Sequence, residues 1–303
     1  MMRVEIYETG QTFDIPTAWD EMSPEAVQYA FRKHEECIRK GRSPLSFNVS
    51  VLCHLLKIRP TRRGWTLARL SPEISLQMGE NVGNLCEKCL GFLLEEDETT
   101  HQCRLSFDSV SNPMPSVRAG FRRLYGPGDL LQDLTFGEFR HASVAMQTFF
   151  RTGKVEDLDE CVAFLYRPHS RKANRAGRKV EEVSPANLPE MKRHASRLKP
   201  WQKNLILLWF AACLKYLQTG AVAIDGERVE LGRLFSGDSD GEGSGSGYSF
   251  GWNDLAVQIA KDQTVGNMAR VDEEPLFSIL GIMWHNFKEQ KRYEEIQKAK
   301  KSR

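Results

Sequence analysis

Four potential soft metal ligands lie close together in the first third of the chain. They are Cys86, Cys89, His101 and Cys103. Four thiolate or imidazole groups in a tetrahedral arrangement are typical of a structural zinc site, so zinc binding is the chemistry to consider. The first pair has the required C-x-x-C spacing, but the His-x-Cys spacing is poor for a second pair. Leu85 and Leu90 predict a helix whose apolar face carries both thiols, and we therefore expect core cysteines without a metal.

A basic segment later in the chain could contact phosphate groups. Lysines and arginines recur between residues 167 and 199, large apolar residues are few, and Pro185 and Pro189 interrupt the segment. This composition predicts an exposed loop over residues 169–193. Its candidate nucleic-acid contacts are Arg171, Lys172, Arg175, Arg178 and Lys179. Few aromatic residues are interleaved for base stacking, so a solvated loop is the simpler interpretation.

No catalytic or cofactor-binding pattern is present in the sequence. The seven histidines are scattered, and residues 238–241 lack the closing glutamate of a calcium-binding loop. Residues 245–247 are glycine- and serine-rich but lack the lysine of a phosphate-binding loop. We find no nucleophile with its base and orienting group, and therefore predict a non-enzymatic protein with no catalytic residues and no cofactor.

The overall composition is that of an ordinary globular protein. Apolar residues make up 41% and charged residues 27% of the 303 positions, and the net charge is +2. This balance favours neither a nucleic acid nor a membrane as a partner of the whole chain. The odd cysteine count, the lack of a signal-like N-terminus and the lack of a long apolar run predict a soluble, intracellular protein.

The element signals predict a mainly α fold with minor β elements. Residues 3–15 alternate around a Gly-containing turn and indicate a small N-terminal β-hairpin. The best specified stretch is 124–168, where Thr135 and Glu138 form a capping box and Gly153 ends the first helix. A second helix follows before Pro168, so this stretch predicts a helical hairpin.

The chain divides by composition into three parts. Residues 1–235 form a mainly helical body, 236–251 a flexible Gly/Ser-rich linker, and 252–303 a C-terminal helical segment. The apolar half of the last helix could dock on its own domain or on a partner protein.

Several short motifs resemble a family of proteins encoded in tail modules of phages and prophages of the Bacteroides group. They are Ile15-Pro16 with Trp19, Tyr125-Gly126-Pro127, residues 133–139, residues 163–168, and Gly251-Trp252 with Ile259-Ala260. The resemblance covers most of the chain, but its motifs are structural and assign no functional residue. Genes of this kind lie near the tape-measure gene, where tail-assembly chaperones are encoded, and the predicted layout is similar to theirs.

The resemblance implies a non-enzymatic, chaperone-like role in tail assembly. The expected partner is the tape-measure protein or another tail protein, and the expected location is the host cytoplasm or the virion. A structural tail or capsid component is one alternative. A nucleic-acid-binding protein that uses the 167–199 region is the other.

Overall fold

A computed structural model describes residues 1–6, 11–57, 82–97, 102–224, 226–234, 257, 265 and 267–301. The fold is mainly α with small antiparallel sheets, as the sequence predicts. The chain forms two compact units. Unit 1 comprises residues 1–114 and 199–209, and unit 2 comprises residues 115–198 and 210–303.

Unit 1 combines two β-hairpins with helices. Its antiparallel strand pairs are β1 (Met2–Ile6) with β2 (Gln11–Ile15) and β3 (Leu94–Glu96) with β4 (Cys103–Leu105). Its helices are α1 (Pro24–Arg39), α2 (Pro44–Leu55) and α3 (82–90). The predicted N-terminal hairpin is confirmed. Ser23 caps α1, with its side chain accepting a hydrogen bond from the amide of Ala26 at 3.3 Å, and Pro24 occupies the first helical position.

Aromatic packing around Trp19 forms the core of unit 1. The Trp19 ring lies 4.9 Å from Phe107, 5.5 Å from Phe92 and 5.9 Å from Phe31 between centroids. Only 2% of Trp19 is exposed. The Ile15–Trp19 motif therefore connects the first hairpin to the core, which is a packing role.

Unit 2 is built on a helical hairpin and a three-stranded sheet. Its strands are β5 (Ser116–Ala119), β6 (Arg122–Tyr125), β7 (Arg167–Pro168), β8 (Val222–Ile224) and β9 (Glu227–Val229). β6 pairs with both β5 and β7, and β8 pairs with β9; all pairs are antiparallel. Its helices are α4 (Phe136–Thr152), α5 (Val155–Leu165), α6 (Leu188–Ser196), α8 (Met268–Glu273) and α9 (Leu276–Lys301). A further helix, α7 (Pro200–Thr219), contributes residues to both units.

The helical hairpin α4–α5 is confirmed in detail. Thr135 and Glu138 form the reciprocal capping box, and Gly153 adopts the left-handed conformation at φ 67° that ends α4. Phe136 and Phe139 are fully buried, but Phe150 is 60% exposed. Phe136 and Phe139 therefore belong to the core of unit 2, whereas Phe150 does not.

The prediction of an exposed loop over residues 169–193 is correct only in part: residues 169–187 are mostly exposed and contain no helix, but they fold back on themselves in an ordered turn. His169 pairs with Val180 across an antiparallel bridge, and the amide of Ser170 donates to the carbonyl of Lys179 at 3.1 Å. We call this turn-back, residues 167–181, the basic hairpin. Helix α6 begins at Leu188 and occupies the rest of the predicted loop. The basic composition predicted solvent exposure for every arginine of this segment, but Arg178 is buried.

The C-terminal segment begins with a direct attachment to α4. Thr135 and Pro275 form a β-bridge, the amide of Phe136 donates to Glu274 at 2.8 Å, and the amide of Leu276 donates to Leu134 at 2.9 Å. The first half of α9 is buried within unit 2, so the last helix docks on its own chain there. The predicted linker 236–251 lies outside the described ranges, as do residues 252–266 of the predicted C-terminal segment apart from positions 257 and 265.

Within the described residues, none of the helices combines the length and the apolarity that crossing a bilayer would require.

Gly137 permits the close approach of α8 to α4. A Cβ atom at this position would lie 2.7 Å from Cβ and 2.9 Å from the backbone oxygen of Asp272. We expect Gly137→Ala to destabilise the protein by about 1–3 kcal/mol, since α8 must move despite the better helix propensity of alanine. Urea denaturation measures this change.

Gly83→Ala in α3 is the matched control, because among the described residues no heavy atom outside its own helix turn lies within 4 Å of the added Cβ. We expect that variant to be neutral or stabilised by up to about 1 kcal/mol. Equal effects of the two substitutions would contradict the assigned contact.

Candidate functional site

The structure does not bring the four candidate zinc ligands together as a described site. Cys86 and Cys89 lie on α3 and are each 1% exposed, so their predicted placement on a core-facing helix is confirmed. Cys103 lies on β4 and is half-buried, and His101 is outside the described residues. Over the described ranges, no three His, Cys, Asp or Glu side chains are placed to hold a metal ion.

Burial controls the chemistry of these cysteines. Burial, with the neighbouring Cys53 and Cys89, raises the pKa of Cys86 to about 11, and burial also raises the pKa of Cys89. The Cys89 thiol lies 3.4 Å from the sulfur of Met2. These thiols are therefore poor nucleophiles at neutral pH.

The basic residues predicted to contact nucleic acid have different environments. Arg171, Lys172 and Lys179 are exposed. Arg175 is also exposed, but its guanidinium bonds to Glu274 and lies 3.5 Å from Glu273. Arg178 is 5% exposed, so its proposed contact with nucleic acid is wrong.

Arg178 is buried because it completes an ionic cluster around Glu138, which we call the Glu138 cluster. Arg167, with a side chain that is 0% exposed, donates to Glu138 Oε1 and to the Glu181 carbonyl at 2.9 Å. Asn174 donates to the same carboxylate oxygen at 3.2 Å. Arg178 Nη1 lies 3.9 Å from Glu138 Oε2.

Backbone carbonyls accept hydrogen bonds from one nitrogen of the Arg178 guanidinium, Nη2. Its Nη2 donates to the Tyr125 carbonyl at 2.5 Å and to the Leu165 carbonyl. Burial, reinforced by Arg167, lowers the pKa of Arg178 to about 10, while Glu138 favours its charged form. One carboxylate thus joins the start of α4, the end of α5 and the basic hairpin. Because the groups are enclosed, the cluster offers no surface to a substrate, and removal of one charged partner would leave the others uncompensated.

A surface cleft lies between the β8–β9 hairpin and α9. Its volume is about 680 Å³, within the range of ligand-binding pockets. The cleft has apolar and polar side chains on its walls. They are Gln132, Ala223, Ile224, Phe277, Ser278, Gly281, Ile282, His285 and Asn286. A Cβ atom on Gly281 would lie 3.2 Å from Ile224, so this glycine allows the helix to approach β8 closely.

The cleft is one end of a longer helix face. Ser278, Ile282 and His285 recur at helical spacing, and the same rotation places Tyr293 and Ile296 further along α9. Tyr293 is 67% and Ile296 is 43% exposed. The opposite side of α9, with Ile279 and Met283, is buried. We call the exposed side from Ser278 to Ile296 the α9 face.

Comparison with models of known protein families, with curated proteins and with solved structures found no match. The Glu138 cluster and the α9 face were both missed by sequence reasoning. Glu138 was recognised only as a helix cap, although its burial follows from the apolar residues on either side of it. The helical periodicity of α9 can be seen in the sequence, but its contact with β8 cannot, because β8 lies about fifty residues earlier in the chain.

The Glu138 cluster predicts a large cost for removing its carboxylate. In Glu138→Gln, two buried guanidinium groups lose their counter-ion, and we expect unfolding free energy to fall by about 3–5 kcal/mol. Urea denaturation measures this change. The control is Glu160→Gln, which breaks the half-exposed pair with Lys192 at 2.7 Å and should cost about 0–1 kcal/mol. A similar small cost at both positions would contradict the structural role of the cluster.

The buried thiols predict selective labelling. At about pH 8, a water-soluble thiol reagent should modify Cys103 first, because Cys86 has a raised pKa and both Cys86 and Cys89 are enclosed. Cys103→Ser should remove the fast phase, as read by absorbance and by peptide mass spectrometry. Rapid modification of Cys86 or Cys89 in the folded protein would contradict the described packing, and stoichiometric zinc in chelator-free preparations would revive the metal hypothesis.

Proposed function

We propose that the protein is a non-enzymatic phage or prophage protein that acts in tail assembly by binding a helix of a tail protein. The sequence resemblance suggests the setting, with the tape-measure protein as the partner. The α9 face is the observation that supports binding, because it joins a cleft to exposed apolar residues on one side of a helix.

The outer half of α9 is exposed along its length, and we assign the partner helix to this segment. From Lys288 onward its described side chains are exposed, apart from the half-exposed Lys291. A helix of this length has marginal stability in water without packing against another element. A partner helix laid along Tyr293 and Ile296 would supply that packing and continue into the cleft.

The charge of this segment specifies the partner further. Residues 288–301 contain six basic and three acidic residues. A helix with an apolar stripe and acidic flanks complements this surface, since opposite charges around an apolar contact favour association. We therefore propose an acidic amphipathic helix of the tape-measure protein as the ligand of the α9 face.

Co-expression with the tape-measure protein tests this function. We expect the tagged chain to recover that protein, identified by mass spectrometry, and Tyr293→Glu with Ile296→Glu to reduce recovery at least tenfold. The control is Phe150→Glu, at a 60% exposed phenylalanine on α4, which should leave recovery unchanged. Failure to recover the tape-measure protein, or equal recovery by the α9 variant, would contradict the proposal.

The protein content of purified particles separates the assembly role from a structural one. A chaperone leaves before the particle is complete, so we expect the chain to be absent from purified virions. Its presence in fixed copy number would favour a structural tail or capsid component instead.

A further inference from the structure

A second surface of unit 2, at the turn between β5 and β6, combines a fully exposed aromatic ring with arginines. Phe121 is 108% exposed, the largest exposure among the described hydrophobic side chains. It occupies the second position of a two-residue turn, after Gly120 at φ 63°. Glycine at the first position is the requirement of a type II′ hairpin turn. We call Phe121 and the arginines around it the Phe121 tip.

The strands below the tip hold it in place. Val117, Ala119 and Leu124 are at most 5% exposed, so the inward side of the hairpin belongs to the core. β6 also pairs with β7, and its last carbonyl, that of Tyr125, accepts the Arg178 guanidinium at 2.5 Å. The ring is therefore presented on a supported hairpin, and a ligand would meet it with little ordering cost.

Arginines occupy strand positions next to the turn that carries Phe121. Arg118 and Arg123 stand directly opposite each other across the two strands and are both exposed. Neither forms an ion pair with any acidic side chain in the described part of the chain. Like charges at such cross-strand positions destabilise a hairpin unless an anion lies between them.

Two more arginines extend the charge around the turn. Arg122 has a long, exposed contact of 3.8 Å with Glu190, which leaves its charge largely available. The side chain of Arg197 lies beside the turn, with its Cδ 3.7 Å from where a Cβ of Gly120 would be. Four arginines therefore lie on the hairpin or beside its turn, and among the described residues Arg122 is the one of them with an acidic ion-pair partner.

We infer that the Phe121 tip binds single-stranded nucleic acid. Guanidinium groups bind phosphates through paired hydrogen bonds, and an aromatic ring exposed on its faces can stack with an unpaired base. A lipid surface would favour further apolar side chains beside the phenylalanine, whereas the neighbours here are Gly120 and arginines. This site is separate from the α9 face and from the basic hairpin.

Binding of a fluorescent oligothymidylate of about 15 nucleotides to the full chain, read by anisotropy, tests the inference. A matching oligouridylate distinguishes DNA from RNA as the source of the strand. We expect Phe121→Ala and Phe121→Leu each to weaken binding by roughly tenfold, because both remove the stacking ring. Phe121→Trp should retain binding. The variants should fold normally, since the native ring is exposed.

The arginines predict a change in salt dependence. In Arg118→Gln with Arg123→Gln, the slope of log affinity against log salt should become shallower by about 1.4, at roughly 0.7 per phosphate contact on a single strand. Phe150→Ala and the double variant Arg171→Gln with Lys172→Gln are the controls, and both should bind as the unmodified chain does.

Four results with nucleic acid would overturn the inference, and a fifth concerns lipid. They are no binding at low salt, full binding by Phe121→Leu, equal or tighter binding of a duplex, and a loss in the Arg171/Lys172 variant as large as at the tip. Phe121-dependent binding to anionic phospholipid vesicles in place of the oligonucleotide would identify a membrane ligand and also overturn it.

Discussion

The carboxylate of Glu138 is the interaction on which the architecture of unit 2 depends. It caps the first turn of α4 through Thr135, and it is the shared acceptor of Arg167 and Asn174 in the basic hairpin. Buried charges are tolerated when each has a partner, and removal of one partner leaves the others uncompensated. A single side chain therefore contacts both the first turn of α4 and the basic hairpin, residues 167–181.

The charged side chains of the Glu138 cluster are buried, so a ligand of unit 2 must bind at other residues. The charged groups of the Glu138 cluster bind one another and connect α4 to the basic hairpin. Residues 134–136, at the start of α4, also hold residues 274–276 through backbone hydrogen bonds. Helix α9 therefore begins at a point that is fixed to the start of α4, and one of its faces is exposed to solvent. The same sheet that receives Arg178 supports the Phe121 tip. The two surfaces proposed for binding, the α9 face and the Phe121 tip, are thus both attached to buried elements of unit 2.

Local signals predicted the helices well, and long-range contacts account for the errors. Ser23, Thr135 and Gly153 act on backbone groups within a few residues, so their caps could be identified from sequence. The composition of residues 169–193 could not show that Arg178 is buried, because its acidic partner, Glu138, lies forty residues earlier in the chain. The β5–β6 hairpin has strands of four residues, too short for a clear alternation. The α9 face was missed because a cleft requires the spatial placement of β8.

Hydrogen–deuterium exchange on the free, unmodified chain tests the central claim most directly. The basic hairpin packs against the buried carboxylate of Glu138, whereas we propose that the outer half of α9 is packed only when a partner helix binds it. The amides of Ser170 and Glu181 donate to the carbonyls of Lys179 and Pro168, so they should exchange about as slowly as those in the middle of α4. Amides after Lys288 should exchange much faster. Fast exchange in residues 167–181, or protection throughout α9 in the free monomer, would contradict the account.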